Sequence, residues 1–96
     1  MILHTVNKSP LQHRALGSCL QFIGSDDGLV LLEDGVYAAI TGVDCGLDRV
    51  EGPVFAIAAD VSARGLQDRL DETVSVIDYG RFVELCTQFD TIKAWS

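Results

Sequence analysis

The feature that most constrains this chain is a run with no polar position in it, Gly28-Leu29-Val30-Leu31-Leu32. A strand with one wet face alternates apolar and polar residues. A strand without alternation is covered on both faces, the signature of a parallel sheet between helices. Three further short β-prone segments accompany it: Leu3–Val6, Val54–Ala58 and Val74–Ile77. Each is followed by a segment of helical character. Strand and helix alternating from end to end predict an α/β fold with a mainly parallel sheet and right-handed crossovers.

Punctuation residues set the expected boundaries. Ser9 is a good N-cap and Pro10 suits a first helical position, so a helix is predicted from Pro10 to about Ile23, with Gly24-Ser25 as its stop. Glu33-Asp34-Gly35 turns the chain into a short helix, Val36–Ile40, with Asp34 or its neighbour as cap. Thr41–Gly52 reads as a loop. Asp60 is placed to cap a short helix, Val61–Arg64, with Gly65 as its C′ residue. Gln67–Thr73 reads as a charged loop. Asp78 is placed to cap a last helix, Tyr79–Phe89, whose Phe82, Val83, Leu85, Cys86 and Phe89 follow helical spacing. Thr91–Trp95 closes the chain as a candidate edge strand. With 96 residues, one domain spanning 1–96 is expected.

Composition narrows the function classes. A domain this small buries only about 60% of the surface its unfolded chain exposes. Yet 48% of the residues are hydrophobic, so association with other subunits is expected to cover part of that surface. Seven Lys and Arg stand against fourteen Asp and Glu, a net charge of −7. Direct nucleic-acid binding needs clustered cations, and an anionic membrane would repel this chain. No apolar run reaches the ~18 residues of a membrane span. The opening residues lack a signal-peptide pattern, so a cytoplasmic location is expected. Cys19, Cys45 and Cys86 form no CxxC and are odd in number, against both a disulfide framework and a zinc site. Neither GxGxxG nor GxxxxGK[ST] nor GxSxG occurs, so no cofactor is expected.

Few residues remain that carry chemistry. The expected carboxyl ends of the strands hold Asn7, Glu33, Asp60 and Asp78. Ligands in open α/β sheets bind at that edge, but Asp60 and Asp78 each precede a helix and read first as N-caps. Cys86 lies on an apolar helical stripe and reads as a small hydrophobe. Cys45 sits beside Asp44 and Asp48, whose charges raise a thiol pKa. Cys19 falls between two apolar helical faces, which reads as core or interface, near a helix end whose dipole disfavours a thiolate. His4, between Leu3 and Thr5, reads as a strand histidine satisfied by the fold.

Several stretches together resemble a known family along nearly the whole chain. They are Ile2-Leu3-His4-Thr5-Val6-Asn7-Lys8-Ser9-Pro10, Leu32-Glu33-Asp34-Gly35-Val36-Tyr37-Ala38-Ala39, Asp60-Val61-Ser62-Ala63-Arg64-Gly65-Leu66, Ile77-Asp78-Tyr79 with Phe82-Val83, and Ala94-Trp95. In this order and spacing they resemble the TusB/DsrH family of sulfur-relay subunits. The resemblance implies a small three-layer α/β/α domain. It implies a heterohexamer with homologous TusC/DsrF-type and TusD/DsrE-type subunits, two copies of each. It implies persulfide transfer serving tRNA wobble-uridine 2-thiolation or dissimilatory sulfur oxidation, with the principal sulfur-accepting cysteine on the TusD/DsrE-type partner. The Ser18-Cys19-Leu20 context is similar to that of DsrH-type chains, which makes Cys19 the candidate auxiliary persulfide site. The chain would then be a sulfur carrier and not a stand-alone enzyme. The alternative is a non-catalytic subunit that positions its partners.

Overall fold

The computed structural model describes residues 1–96. Five strands, β1 (Ile2–Val6), β2 (Gly28–Leu31), β3 (Val54–Ile57), β4 (Val74–Ile77) and β5 (Thr91–Trp95), form one sheet in the order β4-β3-β2-β1-β5. Every pairing is parallel. Three α-helices, α1 (Ala15–Phe22), α2 (Ala58–Ala63) and α3 (Tyr79–Gln88), and two 3₁₀ segments, Glu33–Ala39 and Leu47–Arg49, make the connections.

The order explains the layers. From β1 to β4 each crossover steps the same way, so right-handed connections put α1, the 3₁₀ segments and α2 on one face. The connection from β4 to β5 returns past three strands and puts α3 on the other. The buried side chains divide accordingly. Val6, Leu29, Leu31 and Ala56 pack with Leu16, Cys19, Val36 and Val61. Leu3, Val30, Ile57 and Ile77 pack with Leu85 on the opposite side. Leu29, Val30 and Leu31 are all fully buried, which is why their run carries no polar residue. The result is the three-layer α/β/α domain expected.

Some boundaries differ from the sequence reading. α1 begins at Ala15, five residues later than Pro10 suggested, because Pro10–Arg14 closes turns of its own. The Ser9 hydroxyl accepts from the Leu11 N–H at 3.2 Å and its carbonyl from the Gln12 and His13 N–H groups. Ser9 therefore caps a turn, and the first turn of α1 has no side-chain cap. Asp34 is not a cap either. It accepts two hydrogen bonds from the Arg64 guanidinium, at 2.8 and 3.1 Å. α2 begins at Ala58, directly off β3, because two alanines with high helix propensity follow the strand without a loop. Asp60 then lies inside the helix, and its carboxylate accepts from the Glu33 N–H at 2.9 Å.

Other expectations hold. Asp78 caps α3 by accepting from the Arg81 N–H at 2.8 Å. Gly65, at φ +65°, ends α2, with Gly65 N–H donating to Ser62 O and Leu66 N–H to Val61 O. That is the left-handed C-terminal motif glycine permits. No helix is long and apolar enough to cross a membrane.

Candidate functional site

The three thiols are free. Cys19 lies on the sheet-facing side of α1 with 0% of its surface exposed. Burial, and secondarily the charge of Asp27, push its pKa up to about 11. At neutral pH roughly one such thiol in ten thousand is a thiolate, the form that attacks sulfur. Cys45 is half-buried and its Sγ donates to Ala38 O at 3.6 Å. Its pKa is also raised, chiefly by burial, with Asp44 and Asp48 adding to the effect against a backbone hydrogen bond from Leu47. Cys86 is half-buried against the Leu3–Leu85 cluster, so the sheet separates it from the other two.

The most organised polar feature is instead built around His4. Its ring is 1% exposed, in the middle of β1. Nε2 lies 2.9 Å from Asp27 Oδ2, and Nδ1 lies 3.0 Å from Trp95 Nε1. An indole N–H only donates, so Nδ1 must accept and the ring proton sits on Nε2, which donates to Asp27. Asp27 takes two more bonds: Oδ1 accepts from the Ile2 N–H and Oδ2 from the Gly24 N–H, both at 2.9 Å. Burial alone raises a carboxyl pKa, but these donors, with Gly24 and the His4 ring foremost, outweigh it and hold Asp27 at about 2. The Trp95 ring continues the network to the surface. Its centroid is 5.6 Å from that of Phe22, and Lys93 Nζ lies 4.9 Å from the indole centroid.

Histidine beside aspartate invites an acid–base reading. Both ring nitrogens are occupied, and the ring is sealed from solvent, so no nitrogen is free to exchange a proton with a substrate. The triad locks the fold: it joins β1, the turn after α1 and β5. His4 is thus the satisfied strand histidine the sequence suggested. Its partners Asp27 and Trp95 were not identified from sequence, being 23 and 91 residues away.

At the carboxyl ends of the strands, Glu33 adopts φ +50°, held by its N–H bond to Asp60. Arg64 bridges Asp34 and, at 3.8 Å, Asp60. Asn7 is also there, its Oδ1 buried without a partner. Asp78 belongs to the α3 cap and does not join them. No three His, Cys, Asp or Glu side chains converge to hold a metal ion.

The fold and this site define a small parallel three-layer domain whose cysteines are packed and whose strands are tied by a buried Asp–His–Trp network. Residues 8–92 match the family model described as DsrH like protein. The chain is 36% identical over 96 residues to Protein TusB of Pectobacterium parmentieri, covering 98% of this chain and all of that one. It is 34% identical over 97 residues to Protein TusB of Escherichia coli (strain SMS-3-5 / SECEC), with the same coverage. Among solved structures, the ychN protein from E. coli superposes with a TM-score of 0.86 over 97% of both chains, at 19% identity. Protein Tm0979 from Thermotoga maritima does so with 0.72 over 92% and 93%, at 25% identity. The chain belongs to the DsrH/TusB family.

Proposed function

We propose that this chain is a subunit of a sulfur-relay complex and serves it as a structural member, positioning TusC/DsrF-type and TusD/DsrE-type partners that carry the reacting thiols. The full-length match to TusB chains supports the relay setting. The observation that carries the structural role is the complete burial of Cys19 with its thiol pKa near 11. In this reading Cys19 is core packing, and persulfide passes between cysteines of the other subunits. The relationship to TusB favours tRNA wobble-uridine 2-thiolation as the process served. The net charge of −7 fits a subunit that leaves the grip on RNA to a downstream enzyme.

The test co-expresses the chain with the two partner types, purifies the assembly and incubates it with a persulfide donor. Intact-mass analysis of each subunit follows. Wild type and Cys19→Ser should give the same loading on the partners and no added sulfur on this chain. A gain of one sulfur atom on the wild-type chain, reversed by reductant and absent from Cys19→Ser, would make Cys19 an auxiliary persulfide site. Failure to co-purify with either partner would remove the relay assignment.

A further inference from the structure

The largest cleft in the molecule has no part in the network described above. It lies between the first turns of α1 and the 43–49 loop and encloses about 520 Å³. Volumes of this order suit small organic ligands. Leu16, Leu20 and Val43 supply apolar wall, and Arg14 and Arg49 both line it.

Three of the chain's five arginines, Arg14, Arg49 and Arg69, have no ion pair, and the first two both line this cleft. The chain has twice as many acidic as basic residues, and Arg64 and Arg81 are each paired with carboxylates. Neither Arg14 nor Arg49 has a carboxylate within ion-pairing distance, although Asp44 lies on the same wall. The Arg49 guanidinium lies over Gly46, where an added Cβ would collide with it, and Gly46 is at φ +88°. His13 and the Ser18 hydroxyl add donors. At Gly17 nothing lies within 4 Å of where a Cβ would be, so the backbone is open to the cleft. Two unpaired planar donor forks beside apolar wall fit a ligand with a tetrahedral oxyanion on an apolar body, since guanidinium binds such oxygens two at a time.

We propose that this cleft binds small organic oxyanions of the phosphate- or sulfate-ester class, the head between Arg14 and Arg49 and the body against Leu16, Leu20 and Val43. The site stands apart from the sulfur-relay reading and depends on no cysteine.

The test is a titration of the ¹⁵N-labelled chain, followed by amide shifts at about 0.15 M salt, where long-range repulsion from the net charge is screened. Phenyl phosphate and phenyl sulfate serve as probes, with inorganic phosphate and phenol separating the head from the body. Saturable shifts confined to residues 13–21 and 43–49 are expected with one or both esters, in the millimolar range or tighter, with phenol not saturating. The ester that binds tighter identifies the head group. Arg14→Gln and Arg49→Gln should each weaken binding about tenfold, and Arg49→Lys less. Arg69→Gln, an unpaired arginine outside the cleft, should leave it unchanged. All three positions are exposed, and the variants' own amide spectra report their folding. Non-saturating shifts with both esters, equal binding of phenol, or equal weakening by Arg69→Gln would overturn the proposal.

Discussion

Each side chain of the His4 network has a role set by its proton inventory. Trp95 Nε1–H is the only donor to a ring nitrogen sealed from water. Trp95→Phe keeps the ring's bulk and orphans that nitrogen. A buried acceptor left unmatched costs about 1–3 kcal/mol, so the unfolding free energy from urea titration should fall by that amount and the midpoint should shift down with it. An unchanged midpoint would mean that water reaches Nδ1. Asp27 gives the network its pH dependence. Its native pKa of about 2 lies below the 3.8 of a free aspartate, so the unfolded chain takes up the proton first as pH falls. The contribution, on the order of 2 kcal/mol, is therefore present above about pH 4 and is lost as pH falls from about 4 to 2. Thermal melts across that window should show Tm falling for the wild type. Asp27→Asn starts lower at neutral pH and has a shallower slope there. Parallel slopes would assign the acid sensitivity to other carboxylates.

At the scale of elements, one close joint is where the 3₁₀ segment Glu33–Ala39 meets the end of β1. A Cβ on Gly35 would fall on the carbonyl of Val6. The obstacle is backbone in a paired strand, which no rotamer change can relieve. Gly35→Ala is expected to cost roughly 3 kcal/mol or more, whereas Gly17→Ala, with open space around it, should gain roughly 0.5–1 kcal/mol from helix propensity. Equal stability of the two variants in urea would show that the β1 end yields easily. The same elements mark what the sequence could convey. The central strands were legible because burial on both faces leaves no polar position, as in Leu29-Val30-Leu31. Asp78 and Gly65 were legible because a cap and its helix are neighbours in sequence. Ser9-Pro10 misled because a serine before proline caps a turn by the same hydrogen bond that caps a helix. Asp60 misled because β3 runs into α2 without the loop that a cap terminates. Asp27 and Trp95 were beyond reach, since only the register of β5 on β1 and the turn after α1 bring them to His4. That register is a long-range fact with no local signature.

At the scale of the molecule, β5 has two opposite descriptions. By burial it is expendable: Thr91–Ala94 are exposed, Trp95 is half-buried, and the strand lies at the sheet edge. By connection it closes the fold, since it pairs residue for residue with β1 from Ile2–Thr91 to Val6–Trp95 and donates the last hydrogen bond of the His4 network. The return from β4 to β5 is also what carries α3 across the second face of the sheet. Stopping the chain after Asp90 separates these descriptions. It would turn β1, whose Leu3–Val6 are buried, into an edge with unpaired backbone groups and apolar side chains on both faces, a template for aggregation. It would also leave His4 Nδ1 unmatched. The truncated chain is therefore expected to lose cooperative unfolding and to scatter light at concentrations where the full chain stays clear, a larger defect than Trp95→Phe alone. Circular dichroism in urea with static light scattering reads both effects. A truncated chain that unfolds cooperatively within about 1 kcal/mol of the full one would reduce β5 to a surface strip and leave the Asp27–His4 pair to hold the sheet by itself.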